Sequence, residues 1–174
     1  MVNRLVTWLW GHLPLSPKAR SIIVWTGSPK FTVGVVGLVQ DDEGRVLLLH
    51  HTYRGNKPWG LPGGGLRAGE SLEECLRREL REEANLEIVI DGLLSAAAHY
   101  DRKLVDMIFA CRAAPGASLA TFKANAEVSR ARFFKADELP PDMYSGQRRL
   151  IEIALAQTPH KRSFIFQPER GEWY

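Results

Sequence analysis

Of the 13 glutamates in this chain, seven lie within the 18 positions from Glu70 to Glu87. Carboxylates at that density can hold a cation, exchange protons or simply solvate a helix, and their angular spacing separates these uses. Leu72 to Ala84 reads as a helix. At about 100° per residue, Glu73, Glu74, Arg77, Arg78 and Arg81 share a broad outer side, where Glu73–Arg77 and Glu74–Arg78 have the favourable i,i+4 order. Glu79 and Glu83 fall instead on the side that carries Leu72, Cys75 and Leu76, and their neighbours one turn away are apolar or acidic. Glu82 flanks them, with Arg78 one turn earlier. Unpaired acids on a partly apolar face are costly and repel one another, so the pattern requires an incoming positive charge. A hard divalent cation with oxygen ligands suits Glu79, Glu82 and Glu83, and Mg²⁺ characteristically combines a few carboxylates with waters and substrate phosphates.

The helix is bounded by local signals. Trp59-Gly-Leu-Pro-Gly-Gly-Gly-Leu-Arg-Ala-Gly-Glu70 is a glycine-rich loop that feeds it, Ser71 and Glu74 form a capping box, and Asn85 stands where the chain must leave in the left-handed conformation. Around it, Phe31 to Val39 and Arg45 to Leu49 read as strands of a hairpin joined by the turn Asp41-Asp-Glu-Gly44. Further strands are expected at Leu86 to Ile90, Leu93 to Tyr100, Leu104 to Cys111 and Val128 to Phe134. A second helix is expected from Gly146 to Gln157, with Leu150, Ile153, Ala154 and Gln157 facing inward. Strands interspersed with few helices imply a mixed α/β layer fold.

With 174 residues, the chain has room for one domain with appendages. Its 45% apolar and 25% charged residues exclude disordered, collagenous and disulfide-dense classes, and a net charge of +3 gives no reason to expect nucleic-acid binding. Cys75 and Cys111 match no zinc or redox spacing, so they are expected in the core of a reduced, cytoplasmic protein. Residues 1–29 form an N-terminal extension in which Val2, Leu5, Val6, Leu9 and Leu13 follow helical spacing beside Trp8 and Trp10. That segment is too short for a membrane span and lacks a small-residue cleavage site; packing against the domain is preferred over membrane attachment. The tail at 158–174, with Phe164, Ile165, Phe166, Trp173 and Tyr174, is apolar enough to dock on this subunit or on a second one in a homodimer.

Gly64, five residues to Glu70, then seven to Arg78-Glu-Leu-Arg-Glu-Glu-Ala-Asn-Leu86 resembles the Nudix box, G-x(5)-E-x(7)-R-E-U-x-E-E-x-G-U, where U is bulky and apolar. One fixed position departs: Asn85 replaces the last Gly. The resemblance covers residues 30–157 and implies a Nudix-type α/β/α sandwich with a mixed β-sheet. It also implies Mg²⁺- or Mn²⁺-dependent hydrolysis of the diphosphate linkage in a nucleoside diphosphate joined to another moiety, by attack of metal-activated water. Carried onto this chain, the box makes Glu79, Glu82 and Glu83 the metal ligands, has Arg78 orient a catalytic glutamate, and lets Gly63 lend a backbone carbonyl and Glu70 support the site. Glu127, just before Val128, matches either the further acid of many members or an ordinary strand-end glutamate. Glu82, Glu83 and Glu127 all remain candidates for the general base.

The substrate is less legible. Arg54, Lys57 and Tyr100 are candidate substrate-binding residues, with Tyr53, Arg102, Lys103, Phe133 and Phe134 in the same segments. Tyr100 follows Leu86 by 14 residues, slightly early for the tyrosine of dinucleoside-polyphosphate hydrolases. A nucleotide sugar, ADP-ribose or a nucleoside triphosphate fits the small-molecule partner expected. The alternative is a non-catalytic Nudix-fold module that senses a nucleotide.

Overall fold

A computed structural model describes residues 16–156. The chain divides into two compact units, residues 1–30 and 31–174. In the first, helix α1 spans Pro17–Gly27, with the Ser16 hydroxyl accepting from the Ala19 N–H at 3.2 Å and proline at the first helical position. The amphipathic segment expected at 2–13 and the aromatic tail at 158–174 lie outside the described residues.

The second unit is built on a seven-stranded mixed sheet. The strands are β1 (Thr32–Gln40), β2 (Val46–His51), β3 (Trp59–Gly60), β4 (Gly63–Gly65), β5 (Ile88–His99), β6 (Leu104–Ala113) and β7 (Val128–Phe134). The central order is β3-β2-β1-β6-β5, with β4 pairing β1 and β7 pairing β2. Helix α2 (Leu72–Ala84) lies between β4 and β5 in sequence, and α3 (Ser145–Ala156) follows β7.

The two helices cover opposite faces of the sheet, and the period-two alternation of the strands sorts side chains between them. Val35, Val39, Leu47 and Leu49 join Cys75, Leu76, Leu80 and Ala84 of α2 in one core. Val36, Leu38, Val46 and Leu48 join Leu150, Ile151 and Ala154 of α3 in the other. Because both faces are covered, β1 and β2 are near-continuous apolar runs. Cys75 and Cys111 are free and buried in the α2 core, as expected.

Three local expectations are corrected. The hairpin keeps its turn, where Asp41 accepts from the Glu43 and Arg45 N–H groups and pairs the Arg45 guanidinium. However, β1 and β2 share only the Gln40–Val46 register pair, and β1 runs parallel to β6 through nine paired residues instead. The two segments at 86–90 and 93–100 are one strand, β5, whose register shifts on either side of Leu93; Gly92, at φ +152°, absorbs the bulge. On α3, Ile151 is fully buried whereas Ile153 is only partly so, which rotates the inner face by part of a turn; Gln157 lies outside the described residues. Among the described residues, no helix is long and apolar enough to cross a membrane.

Candidate functional site

Helix α2 is positioned at both ends by its own sequence. The Ser71 hydroxyl accepts from the Glu74 N–H at 3.2 Å while the Glu74 carboxylate accepts from the Ser71 N–H at 2.8 Å, closing the capping box. At the other end Asn85 adopts φ 49°, ψ 43°, the left-handed conformation expected of it. The chain enters along β4, which pairs antiparallel with Gly34–Val36 of β1. Gly63 has φ +144°, and a side chain there would collide with the Val35 carbonyl; one at Gly64 would collide with the Glu79 carboxylate. The absence of side chains therefore lets β4 backbone lie directly against the acids of α2.

Arg78 organises the outer half of these acids. Its guanidinium donates to Glu70 through Nε at 2.7 Å and Nη2 at 3.0 Å, to Glu79 through Nη1 at 2.5 Å, and to Glu82 through Nη1 at 3.3 Å. The bidentate Arg78 bonds hold the Glu70 carboxyl down at about pH 2, and the same partners raise Arg78 further above its ordinary value. Arg67 also reaches Glu82, at 3.4 Å. Two sequence expectations change here. Glu79 has a basic partner after all, the adjacent Arg78. The i,i+4 pairs proposed for the outer side do not form, since Arg77 donates to the Ile88 carbonyl at 2.7 Å and Glu74 is committed to the cap.

Glu83 differs from its neighbours in being buried, at 5% exposure. The Gly63 N–H donates to it at 2.9 Å. Burial raises its carboxyl to about 7, against the lowering effect of the Gly63 N–H; Glu79 and Glu127 push in the same direction as burial and Arg54 opposes it. At 4.0 Å from its Oε1 lies Nδ1 of His51, a buried imidazole whose ring nitrogens have no hydrogen-bond partner among the described residues. Burial first, then Arg54 and His50, lower the His51 imidazole to about 3, so it is neutral at ordinary pH. The sequence held no distinguishing signal for His51, which stands two residues beyond the strand expected at Arg45 to Leu49 and is the last residue of β2 in the structure.

Glu127 joins the group from the loop before β7. A cleft of about 290 Å³ is lined by Glu79, Glu82, Glu83, Asn125, Ala126 and Glu127. Asn125, also missed in the sequence, sets the loop in place. Its side-chain oxygen accepts from the Glu127 and Val128 N–H groups at 2.9 and 2.7 Å, and its amide donates to the Glu82 carbonyl at 3.3 Å. Asn85 adds a second tether through Thr121 at 2.8 Å, a bond that glycine at this position would lack.

The remaining candidates lie around the cleft or away from it. Arg54 acts electrostatically on both Glu83 and His51, and its guanidinium is 5.9 Å from the ring of the exposed Tyr53. Lys57 stands over Tyr144 at 5.1 Å, and Tyr100 is an exposed turn residue edge-on to Phe31 at 5.2 Å; neither lines the carboxylate cleft.

Among the described residues, no group of three His, Cys, Asp or Glu side chains forms a ready cage for an ion. The reason is visible in Arg78, which draws Glu79 and Glu82 onto itself. The donor set nevertheless fits a hard cation: four carboxylates face one cleft, and the buried Glu83 carries a charge that burial disfavours. Glu79, Glu82 and Glu83 would hold such an ion in exchange for the grip of Arg78 on the first two.

The NUDIX domain family model matches residues 30–152. A MutT-like protein of Streptomyces ambofaciens is 28% identical over 139 residues, covering 79% of this chain and 86% of that protein. The human 8-oxo-dGDP phosphatase NUDT18 is 29% identical over 141 residues, which is 80% of this chain but only 43% of the human protein's length. Among solved structures, a NUDIX hydrolase from Nitrosomonas europaea superposes with a TM-score of 0.69 at 22% identity, over 80% of this chain and 78% of its own.

Proposed function

The chain belongs to the Nudix family of pyrophosphohydrolases, and from that premise we propose that it hydrolyses the diphosphate linkage of a nucleoside diphosphate joined to a further group, using Glu79, Glu82 and Glu83 to hold Mg²⁺ or Mn²⁺. The observation that carries this reading is the convergence of Glu79, Glu82, Glu83 and Glu127 on one cleft, directly beside the side-chain-free backbone of Gly63 and Gly64. A divalent cation bound there supplies charge neutralisation of the diphosphate and acidification of the attacking water.

The protein residues have separate tasks in this reading. Glu83 is fixed by the Gly63 N–H and walled off from solvent, which suits a permanent ligand. Glu82 is 52% exposed and Glu127 is also open to solvent, so either carboxylate can take the proton of the attacking water. Arg78 keeps Glu79 and Glu70 oriented by charge-assisted hydrogen bonds. Arg54 acts electrostatically on Glu83 and supplies a positive charge suited to a substrate phosphate, and the exposed Tyr53 offers a face for a nucleobase.

Phosphate release is the test, measured with Mg²⁺ or Mn²⁺ over nucleoside di- and triphosphates, nucleotide sugars, ADP-ribose and dinucleoside polyphosphates. Metal-dependent turnover of at least one class is expected, and Glu82→Gln and Glu83→Gln should each diminish it. Nucleotide binding without turnover of any class would replace the enzyme with a sensing module. Turnover undiminished in both variants would remove the carboxylates from the mechanism.

A further inference from the structure

The first unit carries chemistry for which the hydrolytic cleft has no use. In α1, Ile22, Ile23, Val24 and Trp25 are 61%, 45%, 53% and 67% exposed, and no residue of the helix is buried. Four consecutive helical residues point in directions about 100° apart, so this turn is apolar all round. Such a turn is characteristic of helices enclosed by protein or lipid, whereas a helix that docks in a protein groove presents a single stripe at i, i+3 and i+4.

Charge narrows the choice of medium. The first 40 residues contain no Asp or Glu, while Arg4, Lys18, Arg20 and Lys30 are cationic. Lys30 donates from Nζ to the carbonyl oxygens of Trp25 and Ser28, and Nζ lies 4.6 Å from the centre of the Trp25 ring. Those partners are neutral, so they leave the positive charge uncancelled. A tryptophan and a cation are thereby held together beside an apolar helical turn, the combination that partitions into the headgroup layer of a membrane.

We propose that residues 16–30 attach the protein to the surface of an anionic lipid bilayer, with Ile22, Ile23, Val24 and Trp25 entering the acyl boundary and Lys18 and Lys30 meeting lipid phosphates. The 11 residues of α1 extend about 16 Å, roughly half of a hydrocarbon core, so the helix does not span the bilayer; its apolar turn is submerged at the acyl boundary while the cations beside it stay at the headgroups. This reverses the preference drawn from the sequence, in which the exposure of α1 is not visible.

Flotation of the full chain with vesicles tests the proposal. The protein should float with vesicles of phosphatidylcholine containing one quarter phosphatidylglycerol, remain behind with phosphatidylcholine alone, and be released as salt shortens the Debye length. Lys18→Gln combined with Lys30→Gln should weaken partitioning roughly thirty-fold, equivalent to about 1 kcal/mol for each cation. Ile23→Ser combined with Trp25→Ser should abolish flotation while leaving the melting temperature unchanged, which separates lost attachment from lost folding. Absence of flotation with anionic vesicles at low salt overturns the proposal. So does equal, salt-insensitive binding to both vesicle types. Self-association abolished by the Ile23/Trp25 pair, with no vesicle binding, would instead assign the surface to a second copy of the chain.

Discussion

Helices α1 and α2 are similar in length, 11 and 13 residues, and each starts from a serine cap whose hydroxyl accepts a backbone N–H one turn on. Beyond that they are opposites. Leu76 and Leu80 of α2 are fully buried, its capping box is reciprocal, and its charges have specific partners in Arg78, Gly63 and the Ile88 carbonyl. α1 has no acidic residue, no buried residue and four large side chains in the open. The difference teaches that a good cap and a proline start suffice to define a helix, whereas stability and chemistry depend on what its faces meet.

Substitutions at matched positions should widen that contrast. The largest effect is expected on turnover: Glu83→Gln should lower kcat/KM roughly a thousand-fold or more, because several kcal/mol of charge stabilisation is lost. Ile23→Ser in α1 should leave turnover of soluble substrate unchanged. In denaturant unfolding, Leu76→Ala should cost about 3 kcal/mol as a cavity opens beneath the sheet, against less than about 0.5 kcal/mol for Ile23→Ala. Equal costs at these two positions would end the comparison.

A pH series sharpens it further, since α2 carries a buried acid and α1 carries none. In the metal-free protein Glu83 titrates near 7 when folded and near 4.5 when unfolded, so its contribution rises as the pH falls through that window. His51 titrates near 3 when folded and 6.5 when unfolded, so its contribution falls as the pH drops below 6.5. Between pH 4.5 and 6.5 the folded state holds one proton on Glu83 and the unfolded state holds one on His51, and the two slopes cancel. His51→Gln should therefore uncover a gain of about 3 kcal/mol between pH 7 and 4.5, and Glu83→Gln a loss of the opposite sign below pH 6.5. Unfolding measured in both variants checks the pair; parallel profiles would show that neither group is held as described. The smallest effect concerns the caps. Ser71→Ala should cost about 1 kcal/mol in global unfolding and Ser16→Ala less than about 0.5 kcal/mol.

The grouping of the α2 carboxylates was legible because it depends on helical angle alone. Glu79 and Glu83 fall among Cys75 and Leu76 on any regular helix, and the glycine loop with its Ser71, Glu74 and Asn85 signals fixes where that helix begins and ends. Ion-pair partners were less legible. Arg78 had two plausible partners one turn away, Glu74 and Glu82, and it binds Glu82 as expected, but Glu74 is taken by the cap and the guanidinium goes to Glu70 and Glu79. Long charged side chains choose among acids by where the preceding loop folds back, which helical spacing does not encode.

Local features were thus determined by the amino-acid sequence itself: the two serine caps, the left-handed Asn85, the near-continuous apolar runs of β1 and β2, and the face on which Glu79 and Glu83 stand. Contacts between residues distant in sequence were decided only by the tertiary structure. Among them are the parallel pairing of β1 with β6, the Asn125 clamp that brings Glu127 to the cleft, and the burial of His51 beside Glu83. The physical reason is that local geometry follows from backbone sterics and side-chain reach, whereas the position of distant segments follows from burying both faces of the sheet at once, a condition on the whole chain.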